Sequence, residues 1–291
     1  MTEEDFMHTD LACERCKVEK GSDGVWIESR TDGNVEIHTI EIKSESGAKE
    51  NGMKKGKYTT LSFSALDNAD EVEADEISRV LAGSLSQYLT SATGADSTKN
   101  LTVMIAGLGN RHLTTDAVGP LAVDKIIATR HISEYEPNIF TKYFNAKTVV
   151  ITPGVLSQTG IESADMIRAL CEKISPDVII AIDALAARDC ERLSTTIQLC
   201  DTGITPGSGI GNHRSALDQE TLGCPVIAIG VPTVVDSATL VYDAIKRAKI
   251  SDAERHCISD VGSFFVSPKE CDTITQNAAK IISQAINDVL N

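Results

Sequence analysis

The sequence predicts an α/β protein in which a three-layer, mostly parallel twisted sheet is flanked by helices and preceded by an antiparallel β extension. Two observations lead to this prediction. From residue 101 onward, short apolar runs alternate with segments of helical periodicity, a pattern typical of parallel sheets with helices on both faces. Before that point, residues 25–64 are rich in β-forming residues, which indicates antiparallel strands.

The first hundred residues contain three β-like segments and one helix. Residues 1–20 are polar, and we expect them to form a loosely held terminus. Three β-like segments follow over residues 25–64. In the second of them the apolar residues change phase between Ile37 and Ile40, which predicts a β-bulge. Residues 70–88 have apolar positions on one helical face and predict a helix.

From residue 101 onward, strands and helices are predicted in alternation. Five runs rich in β-branched residues predict strands, at 101–106, 148–151, 178–182, 196–199 and 225–229. Four amphipathic segments predict helices, at 116–128, 162–174, 237–249 and 271–290. The run 178–182 is apolar throughout, which is typical of a strand buried on both faces of a parallel sheet.

The composition excludes several classes of protein. The chain has 291 residues, is 42% hydrophobic and carries a formal charge of −15, so we expect a sizeable core and no direct binding to nucleic acid. No apolar stretch reaches the roughly 18 residues that cross a membrane, and the acidic start is unlike a secretory signal. Eight cysteines in this context indicate reduced thiols of a cytoplasmic protein. The Cys13-x-x-Cys16 pair lacks a second pair to hold zinc, so we predict no metal and no cofactor.

Asp183 is the first candidate catalytic residue, because it follows the apolar run 178–182. In open α/β sheets, functional groups gather beyond the carboxyl ends of the strands. A carboxylate at that position is partly desolvated yet reachable from a crevice, which is the setting that tunes a group for acid–base chemistry. The alternative is that Asp183 caps a helix over residues 184–187.

Asp116 is a second carboxylate in a matching position. It follows the loop 107–112 (G-L-G-N-R-H), where His112 replaces the small residue of a dinucleotide-binding fingerprint, so we interpret the glycines as a tight turn. If the two preceding strands are neighbours, Asp116 and Asp183 face one crevice. One carboxyl can then act as an acid and the other as a base toward water that attacks an amide. Two independent helix caps remain the alternative.

Three later loops also follow predicted strands and are of the kind that closes over a site, at residues 152–160, 201–212 and 230–237. The motifs G-x-S-x-G, H-E-x-x-H and G-x-x-x-x-G-K-(S/T) are absent from the sequence. His213 lies beside these loops, and a lone histidine is more typical of a surface position than of a metal site. Asp236 is most simply the cap of the helix that begins at residue 237.

Five blocks occur in order between about residues 101 and 237: G-L-G-N-x-x-x-T-x-D-A-x-G-P, T-P-G-V-x-x-Q-T-G-I-E, A-I-D-A-L-A-A-R, D-T-G-I-x-P-G-S-G-x-G-N and P-V-I-A-I-G-V-P-T-V-V-D. Together they resemble the germination protease family of spore-forming bacteria. The resemblance implies a core similar to the hydrogenase-maturation endopeptidases and a homotetramer in the cytoplasm of the forespore and spore core. It implies an endopeptidase that degrades small acid-soluble spore proteins at germination, with Asp116 and Asp183 as its catalytic aspartates.

The resemblance also gives the amino terminus a role. Residues 9–14, T-D-L-A-C-E, are similar to the family's substrate motif T-E-(I/L/F)-A-S-E, with Asp in place of Glu and Cys in place of Ser. Members of the family are zymogens that lose a short amino-terminal peptide, so the resemblance implies self-cleavage between Asp10 and Leu11. The implied organisation is a propeptide over 1–10, a β extension with a helix over 11–100, and a peptidase core over 101–291.

Substrate contacts are expected from the loops that follow the strands, at Gly154, Gln158, Thr159, Gly207, Ser208 and Gly209. Two rival functions remain open. A metal-dependent endopeptidase of the hydrogenase-maturation type would need a third ligand, which His213 or Asp236 would supply. A protein that binds the same spore proteins without cutting them is the other rival.

Overall fold

A computed structural model describes residues 9–16, 24–207, 215–247 and 264–291. Within these ranges the strands are β1 Val25–Asp32, β2 Val35–Ile42, β3 Gly56–Ser62, β4 Thr102–Gly107, β5 Lys147–Ile151, β6 Val178–Ala187, β7 Thr196–Cys200, β8 Val226–Asp236 and β9 Phe265–Val266. The helices are α1 Ala12–Arg15, α2 Glu45–Asn51, α3 Glu71–Thr93, α4 Val118–Val123, α5 Arg130–Tyr135, α6 Pro137–Tyr143, α7 Leu156–Thr159, α8 Ser163–Ile174, α9 Gln219–Leu222, α10 Ser237–Arg247 and α11 Cys271–Leu290. Two 3-10 turns lie at Thr114–Asp116 and Cys190–Arg192.

The strands of the described ranges form a single sheet in the order β1-β2-β3-β7-β8-β6-β4-β5, and β9 pairs with the end of β8. The four strands β8, β6, β4 and β5 are parallel to one another. Strands β1 to β3 are antiparallel and join the same sheet through the β3–β7 pairing. The α/β class and the amino-terminal antiparallel extension are therefore confirmed.

The sheet as a whole is mixed, since β7 is antiparallel to both of its neighbours, β3 and β8. The sequence predicts a largely parallel sheet that includes this strand. Only residues 188–195 link β6 to β7, whereas a parallel return requires a crossover of roughly a dozen residues or more. The chain therefore turns back at the same edge of the sheet and runs in the opposite direction.

The bulge predicted in β2 is absent, because β2 pairs residue for residue with both β1 and β3. The apolar residues change phase because the buried face changes. Val35 and Ile37 pack in one core with α3, whereas Ile40 and Ile42 pack in a second cluster together with Met53. One face of the strand is buried near its start and the opposite face near its end, and this change of buried face produces the phase change in the sequence.

Helices cover the parallel strands on both faces, as the three-layer prediction requires. On one face, Ile180 and Ile182 of β6 share a core with apolar residues of α3, α4 and α11. On the opposite face, Ile179 and Ala181 pack with α8 and α9. Because side chains alternate along a strand, this division tells which residues of β6 share a face. No helix in the described ranges is long and apolar enough to cross a membrane.

Helix α3 begins and ends at residues with clear capping roles. Helix α3 begins after Asp70, whose carboxylate accepts a hydrogen bond from the Glu73 N–H while Glu73 binds back to the Asp70 N–H. It ends at Gly94, which adopts the left-handed conformation, and therefore extends beyond the predicted segment 70–88.

The segment from Thr9 to Cys16 is packed against the sheet, contrary to the loosely held terminus expected from its polarity. Leu11 is 0% exposed and lies among Leu185, Ala187, Leu193 and Val235. A single apolar side chain inserted between β6 and its surroundings thus fixes a segment whose average composition is polar.

Candidate active site

Asp183 lies in the interior of β6, and no helix follows it. The strand continues through Ala187 because β8 pairs with it along its whole length, with a register shift between Leu185 and Ala186. The helix-cap alternative for Asp183 is therefore wrong. Its carboxylate is 4% exposed and accepts a hydrogen bond from the Ala184 N–H at 2.9 Å. Asp183 shares the face of Ile179 and Ala181.

Asp116 closes the 3-10 turn Thr114–Asp116, and helix α4 after it has no side-chain cap. The carboxylate accepts a hydrogen bond from the Asn110 N–H at 2.8 Å, so the cap alternative is wrong here too, and the predicted helix 116–128 shortens to α4. Gly109 has φ +105°, and a Cβ there would stand 2.1 Å from the Asp116 carbonyl oxygen. This glycine allows the loop to fold tightly over Asp116.

Two threonine side chains hold this turn at the edge of the sheet. Thr233 of β8 donates a hydrogen bond to the carbonyl of Thr115 at 2.6 Å, and Thr275 of α11 donates one to the carbonyl of Thr114 at 3.2 Å. Strand β4, which precedes the turn, is the parallel neighbour of β6. The neighbouring strands required by the sequence analysis are therefore present.

Asp116 and Asp183 line one cavity of about 360 Å³. Asp10, of the amino-terminal segment, lines the same cavity. Much of the remaining wall is apolar, with contributions from Leu113, Val155, Leu185, Pro206, Val234 and Phe265. Apolar surroundings keep bulk water away from the carboxyl groups, which favours acid–base chemistry between these groups and a bound substrate.

The predicted substrate-contact residues divide into three groups. Gly207 lines the cavity. Gly154, Gln158 and Thr159 do not line the cavity, which is instead contacted by Val155 of the same loop and by Ser163 at the start of α8. Ser208 and Gly209 lie outside the described residues.

Gln158 is nevertheless linked to the cavity through Asn110. Its amide nitrogen donates to the Asn110 side-chain oxygen at 2.7 Å, and Asn110 in turn holds Asp116 through its backbone N–H. Gln158 is thus placed to support the turn that carries Asp116, one step removed from the cavity.

The amino-terminal segment pairs with β6 just beyond Asp183. The Asp10 N–H donates to the Ala186 carbonyl at 2.9 Å, and the Ala186 N–H donates to the Asp10 carboxylate at 2.9 Å. Gln198 of β7 contacts the segment on both sides of Leu11: its side chain donates to the Asp10 carbonyl and accepts from the Ala12 N–H. The peptide bond between Asp10 and Leu11 is therefore held at a defined place beside the cavity.

The Glu14 carboxylate anchors the far end of the segment. It accepts hydrogen bonds from the backbone N–H groups of Arg188 and Asp189, at 2.8 and 2.9 Å, and from the Thr9 hydroxyl.

Burial raises the pKa of the neighbouring Cys13 thiol, although Arg192 acts in the opposite direction. The Cys13 thiol is therefore a poorer nucleophile than an exposed cysteine.

A second cavity of about 270 Å³ lies on the other side of the segment, and Asp10 and Leu185 line both cavities. Its wall includes Gln198, Gly230 and Tyr58, and burial raises the pKa of Tyr58 to about 12. Asp10 therefore stands between two spaces, one with the two aspartates and one with Gln198.

Asp236 and His213 are the two residues that the metal-dependent alternative would use as a third ligand. Asp236 caps α10, since its carboxylate accepts from the N–H groups of Ala238 and Thr239 at 2.7 and 3.1 Å, and it does not line the aspartate cavity. His213 lies outside the described residues. Within the ranges that the structure describes, no three His, Cys, Asp or Glu side chains are grouped to hold a metal ion.

Sequence reasoning missed Gln198, Thr233 and the backbone N–H pair of Arg188 and Asp189. One signal for Gln198 was available, because a buried strand of composition T-I-Q-L-C contains a long polar side chain that must find partners. The other groups gave no signal, since backbone N–H groups are common to all residues and Thr233 falls in the segment 230–237, which was predicted as a loop but belongs to β8 as far as Asp236.

Comparison with known proteins finds a matching family model, similar relatives and a similar solved structure. A sequence model of the germination protease family matches residues 3–250. The germination protease of Clostridium acetobutylicum is 37% identical, with 98% of this chain and 95% of that protein covered. The germination protease of Bacillus thuringiensis is 42% identical over 82% of this chain and 66% of that protein. Among solved structures, a NiFe hydrogenase maturation protease from Thermococcus kodakarensis covers 70% of this chain and 98% of its own, at 15% identity and a TM-score of 0.37.

Proposed function

The chain belongs to the germination protease family, and on that premise we propose that it is an aspartate-dependent endopeptidase that begins the degradation of small acid-soluble spore proteins. We further propose that it is made as a zymogen that cuts itself between Asp10 and Leu11. It would act in the cytoplasm of the forespore and spore core, as a homotetramer.

One observation carries this proposal. Asp116 and Asp183 line the same cavity as Asp10, the residue that supplies the carbonyl of the bond proposed to be cut. The segment around that bond is held as a substrate would be, by backbone pairing to β6, a buried Leu11 side chain and a bound Glu14 carboxylate. Two carboxyls, an apolar wall and an extended chain are the elements that general acid–base hydrolysis of an amide needs.

The proposed reaction uses the two aspartates in opposite protonation states, because neighbouring carboxyls do not both ionise easily. A water molecule in the cavity adds its oxygen to the Asp10 carbonyl carbon, and the ionised carboxylate accepts the proton that the water loses. The protonated carboxyl then donates its proton to the Leu11 nitrogen as the carbon–nitrogen bond breaks. The products are a new Asp10 carboxyl group and a free amine on Leu11, and the second aspartate ends ionised while the first ends protonated.

The docked segment also provides a simple basis for the proposed zymogen. While residues 9–14 occupy the groove along β6, no other chain can pair there. On this proposal, residues 1–10 are a propeptide, residues 11–100 form the β extension with its helix, and residues 101–291 form the peptidase core. The loops that contain Gly154, Gln158, Thr159 and Gly207 would then adapt to the longer substrate chains, together with Ser208 and Gly209.

Cleavage of a purified small acid-soluble spore protein tests this function. We expect cutting by the processed parent, isolated by gel filtration as an assembly of four chains, and a loss of about 10²–10⁴-fold in kcat for Asp116→Asn, because a general acid–base group is removed. Asp165→Asn is the matched control, since Asp165 is an exposed helical aspartate paired with Arg168, and it should leave the rate unchanged.

Activity of Asp116→Asn within tenfold of the parent would refute the assignment. A stable complex without cleavage would instead indicate a binding protein. Activity that a chelator abolishes and a divalent ion restores would favour the metal-dependent alternative, in which the aspartates serve as ligands.

A further inference from the structure

Gln198 is a buried polar residue that lines the second cavity, beside Asp10. It is 7% exposed, on β7, between Ile197 and Leu199, whose side chains enter the core on the other side of the sheet. Gly230 of β8 pairs with Gln198 on one side and with Asp183 on the other. Since neighbouring strands lie about 4.8 Å apart, the backbones of Gln198 and Asp183 are roughly 10 Å apart, and the Leu185 side chain covers the Gly230 backbone between them.

The two hydrogen bonds of the Gln198 side chain determine its orientation. One end of the side-chain amide lies 2.6 Å from the Ala12 N–H, which can only donate a hydrogen bond. That end must therefore be the acceptor oxygen Oε1, and the other end is the nitrogen. That nitrogen, Nε2, donates to the Asp10 carbonyl oxygen at 3.2 Å. The oxygen it holds belongs to the peptide bond between Asp10 and Leu11.

We propose that Gln198 is a catalytic residue that stabilises the oxyanion formed when water adds to that carbonyl, an inference that rests on the proposed function. As the water oxygen bonds to the carbon, the electron pair of the carbonyl moves to its oxygen, and the Nε2–H group bonds to the developing negative charge. When the carbon–nitrogen bond breaks, that pair returns to re-form the carbonyl and the nitrogen leaves with the proton supplied by the aspartate. Side-chain amides aimed at such an oxygen typically contribute about 10²–10³-fold to the rate.

The position of Gln198 suits this role better than a role in holding the fold. Both of its side-chain hydrogen bonds, to Ala12 and Asp10, go to the amino-terminal segment, whereas its backbone pairs with β3 and β8. The Ala12 bond fixes the amide, so little reorganisation is needed as charge develops on the Asp10 oxygen. Asp10 lies between the aspartate cavity and the cavity that Gln198 lines, so water and amide approach the carbonyl from different sides.

The first-order rate of self-cleavage in the full chain, followed by intact mass, tests the inference. Gln198→Glu keeps an acceptor for the Ala12 N–H and loses the amide donor, and we expect a rate about 10²–10³-fold below the parent when the new carboxyl is ionised. Protonation of that carboxyl restores a donor, so the deficit should shrink on acidification. Gln198→Met, which has neither group, should keep its deficit at every pH.

Docking of the segment is measured separately, by amide hydrogen exchange over residues 9–16 in chains that also carry Asp183→Asn and so remain uncut. In the Gln198 variants we expect hydrogen-exchange protection over residues 9–16 within about twofold of the chain that keeps Gln198, together with slow cleavage. Slow cleavage with lost protection would make Gln198 a positioning residue and overturn the oxyanion role. Cleavage within threefold of the parent would overturn it as well, while a parent that fails to cut itself would remove the proposed function first.

Discussion

Glu14 shows at the level of a single residue how the docked segment is held. Its carboxylate receives two backbone hydrogen bonds, from Arg188 and Asp189. Hydrogen bonds to a charged group contribute roughly 1.5–3 kcal/mol each, and partial exposure of Glu14 reduces this. We expect Glu14→Ala to speed hydrogen exchange over residues 9–16 by about tenfold or more, which corresponds to about 1.4 kcal/mol. The measurement is made on chains that also carry Asp183→Asn.

Glu45→Ala is the control for this prediction. Glu45 is an exposed side chain at the start of α2 that pairs with Lys55, away from the docked segment. It should leave exchange over residues 9–16 unchanged. Equal protection in the Glu14 and Glu45 variants would mean that the amide pair of Arg188 and Asp189 does not hold the segment.

The two aspartates could be selected from sequence, because each follows a β-branched run at a place where parallel strands expose functional groups. Only the structure excludes the alternative that the two aspartates are helix caps. It shows that the strand continues after Asp183 and that the Asp116 carboxylate binds the Asn110 N–H. The partners of Gln198 could not be predicted from sequence, for a different reason. Its partner Ala12 is 186 positions away, and a contact of that separation exists only once the sheet has formed.

At the level of elements, the approach of α4 to the sheet fixes the turn that carries Asp116. A Cβ on Gly119 would stand 2.4 Å from the carbonyl oxygens of Leu108 and Ile182, both of which are backbone atoms with little room to move. We expect Gly119→Ala to lower the free energy of unfolding by roughly 1–3 kcal/mol, a typical cost of overpacking. Peptidase activity should fall too, because α4 follows directly on the Asp116 turn. Urea unfolding and the rate of self-cleavage provide the two measurements.

Gly83→Ala is the matched control. Gly83 is exposed on α3, and a Cβ there meets no atom within 4 Å. This substitution should raise the free energy of unfolding by about 0.5–1 kcal/mol, because alanine loses less backbone entropy in a helix. A Gly119→Ala chain as stable as the Gly83→Ala chain would show that α4 is free to shift.

The long amphipathic helices and the buried strand runs were predictable because their periodicity is local. Strand direction was not, as β7 shows, since it depends on the length of the link at residues 188–195 and on which edge of the sheet is open. The phase change in β2 was visible but ambiguous, because a bulge and an exchange of buried faces produce the same pattern in sequence.

For the whole molecule, one continuous sheet joins the β extension to the core through β3 and β7. The docked residues 9–14 come from the start of the chain, and the core supplies Gln198, which contacts them, and Asp183, which lines the cavity beside them. Composition and charge predicted a compact acidic protein. They could not predict that residues 9–14 would occupy the candidate site, because that depends on the burial of Leu11 and Ala12 and on two hydrogen bonds between Asp10 and Ala186.

Aspartate-dependent self-cleavage is the central claim, and intact mass of the purified full chain before and after mildly acidic incubation tests it most directly. The parent should lose the segment that ends at Asp10, and a chain with Asp183→Asn should keep it under the same conditions. Equal loss from both chains would contradict the account and indicate a contaminating protease or acid-labile chain chemistry. Retention by both chains would contradict it equally, since the docked bond would then not be a substrate.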